Sequence, residues 1–96
     1  MIKYKVKYSN NFKKQLKKIT KQGKDINKLL KVVEILSRGE SLYIKFKDHQ
    51  LIDNKYFKKC RECHIEPDWL LVYKISEEEI ILFLVETGSH SDLFGK

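Results

Sequence analysis

The sequence predicts a two-layer α+β domain in the order strand, helix, helix, strand, strand, strand. Three observations lead there. Residues 2–8 alternate lysines with bulky side chains, the period of a half-buried strand. Residues 12–36 carry apolar side chains at helical spacing, with one break at Gly23. From Phe57 the pattern turns β-like, with turn residues in two places. The 96 residues fit one domain, 1–96, with a modest core, and 42% hydrophobic content is ordinary for a folded protein.

Each element has a local cause. In the first strand Ile2, Tyr4, Val6 and Tyr8 fall on one side, with Lys3, Lys5 and Lys7 on the other. Ser9 stands where an N-cap belongs, and Phe12, Leu16 and Ile19 follow on one helix face. Ile26, Leu29, Leu30, Val33 and Leu36 mark a second amphipathic helix ending near Gly39. The short link between the two predicts a helical hairpin. Residues 40–56 lack a clean period and read as a loop anchored by Leu42, Ile44, Phe46 and Leu51. Strands are expected near 57–65, 69–75 and 79–86, as an antiparallel meander. Pro67 and Asp68 make the first turn and Glu77-Glu78-Glu79 the second. The run Ile80 to Val85 is apolar on both faces, as in an interior strand.

The net charge of +7 is uneven. Residues 1–31 hold eleven lysines and one acid, Asp25, whereas residues 32–96 hold nine basic and twelve acidic residues. A basic half favours a polyanion through phosphate contacts and counterion release. Lys13, Lys17 and Lys21 on the first helix are candidates for that role, and lysine without arginine gives attraction without base reading. No apolar run reaches the length of a membrane span, and the start, Met1 to Val6, does not form a signal sequence. A cytoplasmic location is expected, and two cysteines suit a reducing compartment.

The chemistry-bearing residues cluster late. His64 closes the first meander strand, Asp68 lies in the turn after it, and His90 lies just beyond the last strand. His49 stands upstream in Asp48-His49-Gln50-Leu51, and Arg61 opens Arg61-Glu62-Cys63-His64. Histidine gives or takes a proton near neutral pH. RNA cleavage by its own 2′-hydroxyl needs a base, an acid and positive charge on the phosphate, and these residues supply all three. On a regular strand Glu62 and His64 share one face, and Arg61 and Cys63 the other. Cys60 and Cys63 form a C-x-x-C without a second ligand pair, and on a strand they point apart, which disfavours zinc. Cys63 is expected to pack, and Cys60 to be exposed or at an edge. Trp69 and Tyr73 have the parity of core residues. Phe94, near the terminus, either stacks on a nucleobase or docks on the sheet. The chain shows neither a glycine-rich phosphate loop nor a Ser-His-Asp pattern in recognisable context.

Asp48 to Leu51, the run RECHIEPDWLLVY from Arg61 to Tyr73, and the run TGSHSDLF from Thr87 to Phe94 together resemble the YafQ group of the RelE/ParE toxin superfamily. These are toxins of bacterial type II toxin–antitoxin systems, and the order of elements over the whole chain agrees. The resemblance implies a RelE-like fold and a ribosome-dependent endoribonuclease. Such an enzyme enters the A site of the 70S ribosome and cuts mRNA with no metal or other cofactor, leaving a 2′,3′-cyclic phosphate. By motif it implies a centre of His49, His64, Asp68 and His90, supported by Trp69 and Phe94. His90 is assigned as general acid, His64 and Asp68 together or singly as base, and His49 and Arg61 as phosphate ligands. It also implies a cognate DinJ/RelB-like antitoxin in a two-to-two heterotetramer, and no membrane partner. Relatives tend to carry glycine in the segment matching Ile52 to Cys60; this chain has none there, so a longer or differently turned loop is expected. Two other readings stand beside this one: a non-catalytic RNA- or protein-binding module, and a gyrase-inhibiting toxin of the same superfamily.

Overall fold

The structure, a computed structural model, describes residues 2–52 and 57–95. Strand β1 (Lys5–Tyr8) leads into helices α1 (Asn10–Lys21) and α2 (Ile26–Ser37). A single 3₁₀ turn (Ile44–Phe46) and a two-residue strand β2 (His49–Gln50) follow. The chain then forms β3 (Arg61–Glu66), β4 (Trp69–Ser76), β5 (Ile81–Gly88) and a short helix α3 (His90–Phe94). The sheet order is β1-β5-β4-β3-β2; β1 runs parallel to β5 and every other pair is antiparallel. The expected α+β order holds, with β2 and α3 added.

The helices start where side chains satisfy their free amides. Ser9 Oγ accepts from the Phe12 amide at 2.9 Å, and Asp25 Oδ1 from the Asn27 amide at 3.0 Å. α1 stops at Lys21, ahead of Gly23, and α2 at Ser37. Gly39 has φ +77°, and a Cβ there would lie 2.8 Å from Lys3 Cδ, so the chain needs glycine where its first strand enters.

Both helices cover one face of the sheet. Phe12, Ile19, Leu29 and Leu36 meet Cys63, Ile65, Trp69, Leu71, Tyr73, Leu82 and Leu84 in the main core. The opposite face carries a smaller cluster of Phe57, Cys60 and Val72, with Leu51, Val85 and Leu93 against it. Alternation along β3 therefore sends Cys63 and Ile65 toward the helices and leaves Glu62 and His64 on the other face. Trp69 and Tyr73 are core residues, as their parity indicates.

Several boundaries move. β1 begins at Lys5, and Ile2 and Tyr8 are exposed, so only Tyr4 and Val6 of that stripe contribute to burial. Leu42, Phe46 and Leu51 anchor the loop as expected, but Ile44 is 94% exposed at the start of the 3₁₀ turn. β3 begins at Arg61 because Phe57 to Cys60 form a turn closed by the Cys60 amide on Phe57 O. Ile80 lies in the β4–β5 turn with φ +58°, outside the strand. Cys60 is buried rather than exposed, because that turn folds it onto Val72. The loop expected over Ile52 to Cys60 falls in part on residues 53–56, outside the described residues. Among the described residues, no helix is long and apolar enough to cross a membrane.

One buried polar contact joins the ends of β4 and β5. The Trp69 indole donates to Thr87 Oγ1 at 3.0 Å, and that hydroxyl donates to Leu70 O at 2.7 Å. Thr87→Val leaves the buried indole N–H without its acceptor and should cost about 1–3 kcal/mol. Thr87→Ser keeps both bonds, loses one methyl group, and should cost about 1 kcal/mol. Urea unfolding of the two variants checks the order.

Candidate active site

The three histidines form a row on the face of the sheet that the helices leave open. His64 is the middle member, with ring centroids 6.5 Å from His49 and 5.6 Å from His90. They come from three elements: the short edge strand β2, the body of β3 and the first position of α3. Strand register accounts for the convergence. His49 is the cross-strand partner of Glu62, and Glu62 lies two residues from His64 on the same face. Leu70 pairs with Gly88, and continuing that antiparallel register by two residues sets Asp68 opposite His90.

Asp68 and His90 make the closest contact of the group. His90 Nδ1 lies 2.6 Å from Asp68 Oδ1, and the His90 amide donates to the same oxygen at 2.9 Å. The amide bond and then the imidazole contact hold the Asp68 carboxyl below its ordinary value of 3.8. Asp68 is thus a carboxylate that fixes the ring by Nδ1, so that Nε2 is the nitrogen it leaves for another partner. Helix α3 is set by a capping box: Ser89 Oγ accepts from the Asp92 amide at 3.1 Å, and Asp92 Oδ2 from the Ser89 amide at 3.2 Å. A Cβ on Gly88 would come within 3.1 Å of the Asp92 side chain, so the Gly-Ser-His turn closes tightly.

Glu62, which the motif reasoning passed over, lies between the other two histidines. It is 5% exposed, and its Oε1 is 3.5 Å from Nε2 of both His49 and His64. A buried carboxylate is costly without partners, and the two imidazoles supply them. The second nitrogen of each ring also meets an oxygen: His49 Nδ1 lies 2.8 Å from Lys47 O, and His64 Nδ1 lies 3.3 Å from Pro67 O. The sequence did hold a signal for Glu62, its two-residue spacing from His64 on one strand face.

Arg61 is not brought to the histidines. It points to the helix side of β3 beside Tyr73, its cross-strand partner. Its Nε and Nη2 donate to Asp48 at 3.2 and 3.3 Å, and the Tyr73 hydroxyl donates to Asp48 Oδ1 at 2.5 Å. Burial and the Asp48 carboxylate push the Tyr73 hydroxyl well above the usual phenol range. The three residues therefore hold the chain immediately before His49. Asp68, which the sequence grouped with His64, contacts His90 instead. Lys13, Lys17 and Lys21 are exposed on α1, in the helix layer, and are not gathered with the histidines. Phe94 packs edge-on against Phe57, with centroids 5.7 Å apart, so it docks α3 and keeps 36% of its surface exposed. Trp69 is buried beneath the Asp68 turn, with Lys24 5.6 Å over its ring.

Burial pushes the Cys63 thiol far up and the Cys60 thiol up, so neither is a ready thiolate nucleophile or ligand. Among the described residues, no group of three or more His, Cys, Asp or Glu side chains is placed to hold a metal ion. The arrangement is suited to proton transfer at both sides of one phosphate, with imidazoles in a row and one of them fixed by a carboxylate.

Comparison with known proteins identifies the family. Residues 4–95 match the family described as bacterial toxin of type II toxin–antitoxin system, YafQ. The mRNA interferase toxin YafQ of Escherichia coli strain B is 38% identical over 99% of this chain and its own whole length; that of strain K12 is 36% identical over the same share. The crystal structure of the E. coli DinJ–YafQ toxin–antitoxin complex superposes with a TM-score of 0.86 at 36% identity, covering 98% of this chain and 100% of that one. A metal-bound toxin from Helicobacter pylori superposes with a TM-score of 0.87 at 46% identity and the same coverage. The open-faced histidine row thus lies on a shared fold and a matching sequence, and the chain belongs to the YafQ family of toxins of bacterial type II toxin–antitoxin systems.

Proposed function

We propose that this toxin is an mRNA endoribonuclease that acts in the ribosomal A site by acid–base catalysis on the histidine row. The observation that carries the proposal is the Asp68–His90 pair beside His64, three elements converging on one solvent-facing spot. His64 Nδ1, turned off its 3.3 Å contact with Pro67 O while Nε2 stays with Glu62, takes the proton from the 2′-hydroxyl, whose oxygen attacks the phosphorus. The bond to the 5′-oxygen breaks, and His90 Nε2 delivers a proton to that leaving oxygen. The products are a 2′,3′-cyclic phosphate and a 5′-hydroxyl. Asp68 holds His90 by Nδ1 so that Nε2 meets the leaving group, and Glu62 orients His64 and His49. His49 faces the non-bridging oxygens. Arg61 acts through Asp48 on the position of His49, not on the phosphate.

Lys13, Lys17 and Lys21 on α1 are exposed and suit sequence-independent contact with ribosomal RNA. An E. coli relative solved in complex with the antitoxin DinJ supports a DinJ-like antitoxin as partner. The proposed assembly is two to two, in the bacterial cytoplasm. Each proton transfer in this scheme is made by a side chain, so the reaction needs no metal. Because one solved relative is a metal-bound toxin, a chelator is part of the test.

Purified protein on programmed ribosomes should cut within the A-site codon, with the same rate after the protein is stripped with EDTA and assayed with the ribosome's magnesium restored. His90→Ala and His64→Ala should each lose about 10²–10⁴-fold in single-turnover rate, the usual share of one proton-transfer group. Loss of cutting by the stripped protein, with recovery on adding zinc, contradicts the metal-free mechanism. Full activity of His90→Ala contradicts the acid assignment, whereas wild-type protein that binds ribosomes or antitoxin without cutting favours a binding module.

The Asp68–His90 contact also predicts a titration. Because the folded-state value is depressed, the contact is present above 3.8 and is lost as pH falls through the lower folded value. Carbon-detected NMR should therefore place the Asp68 carboxyl midpoint below 3.8. In His90→Ala the midpoint should rise only part of the way, because the backbone amide bond remains.

A further inference from the structure

Beside His64 the surface opens into a groove of about 450 Å³ that the mechanism above does not use. It lies between α2 and the 3₁₀ turn, along the end of β3 beyond its short pairing with β2. β2 pairs only with Arg61 and Glu62, so it does not cover this stretch. Lys28 and Lys31 line it from α2, Lys45, Phe46 and Lys47 from the 3₁₀ turn, and His64 and Glu66 from β3. Lys28 is tied to Glu66 at 2.8 Å. Among the described residues, Lys31, Lys45 and Lys47 form no ion pair, so three uncompensated ammonium groups surround the cavity. Phe46 packs partly into the main core, which makes its ring a fixed wall, with Lys45 Nζ 5.2 Å from its centroid. Lys47 holds a left-handed backbone, φ 49° and ψ 41°, which costs a non-glycine residue about 1–2 kcal/mol. That turn aims its carbonyl at His49 while its side chain lines the groove.

We infer that this groove is a nucleotide subsite for the residue of the RNA that carries the attacking 2′-hydroxyl. The inference rests on the assignment of His64 as base. The hydroxyl that gives up its proton belongs to the nucleotide upstream of the cut. The groove opens on His64 and His90 is not among its lining, so the upstream nucleotide lies on the groove side. Its base packs against Phe46, and the phosphate on its 5′ side sits among Lys31, Lys45 and Lys47. A cavity of this volume is in the range that holds a small ligand, and a fixed aromatic wall with lysines suits a nucleotide. An acidic peptide would satisfy the lysines and leave Phe46 without a partner.

The test is single-turnover cleavage on programmed ribosomes, crossing Phe46→Leu with an mRNA that is abasic at the upstream nucleotide but keeps its 2′-hydroxyl. Each change alone should slow cleavage about tenfold at subsaturating toxin, the scale of one lost stacking contact. Together they should slow it no further, because they remove the same contact. Lys31→Gln/Lys45→Gln/Lys47→Gln should raise the half-saturating toxin concentration and flatten its salt dependence. Its circular dichroism should be unchanged, since these side chains are exposed. Multiplicative effects of the two stacking changes, or none, overturn the subsite. So does a lysine variant that cuts normally but no longer binds antitoxin, which makes the groove a protein-docking surface. Wild-type protein that cuts no mRNA at all overturns the ribonuclease reading itself.

Discussion

The hydroxyl of Thr87 is the contact on which the rest of the site depends. It accepts from the Trp69 indole and donates to Leu70 O, both in the buried interior, and so ties the start of β4 to the end of β5. Asp68 leaves the sheet just before the first of those strands, and His90 just after the second. The hydrogen bond between them is an extension of the same register. α1 adds a second restraint: Gln15 Oε1 accepts from the Thr87 amide at 2.9 Å, and Gln15 Nε2 donates to Glu86 at 3.0 Å. Lys18 reaches Asp92 at 3.6 Å. The helix layer thus steadies the strand end and α3, although the histidines themselves lie on the other face.

That division of faces explains the economy of the site. One side of the sheet is filled by α1, α2 and the large core residues. The other has a small apolar cluster that seats the Phe57–Cys60 turn and α3, and beyond that cluster it is open. Polar groups on the open face can meet a large polyanion without a deep pocket, which suits the ribosome-bound mRNA proposed as substrate. The two carboxylates that touch the histidines face them at defined atoms. Glu62 is buried between two imidazoles, whereas Asp68 is exposed and holds one.

Much of this was legible in the chain. The alternation in β3 separated Arg61 from His64, and the structure realises that separation with Arg61 committed to Asp48 and Tyr73. The parity of Trp69 and Tyr73 identified them as core. What the sequence does not display is register. His49 reaches the site only because two residues of an aperiodic loop pair with β3, and a strand that short leaves no hydrophobic period. The resemblance implies Asp68 with His64 as base, whereas the β4–β5 register delivers Asp68 to His90. The exposed Ile44 and buried Cys60 were misplaced for a related reason: turns, not periods, decide where those side chains go.

The measurement that tests the central claim most directly uses an mRNA whose 5′-leaving oxygen at the cut is replaced by sulfur. A thiolate leaves without a proton, so this substrate has no need of a general acid. The account predicts that His90→Ala, crippled on ordinary mRNA, recovers to near the wild-type rate on the sulfur substrate, while His64→Ala stays slow. Recovery of His64→Ala instead, or of neither variant, contradicts the assignment of the Asp68-held His90 as the acid.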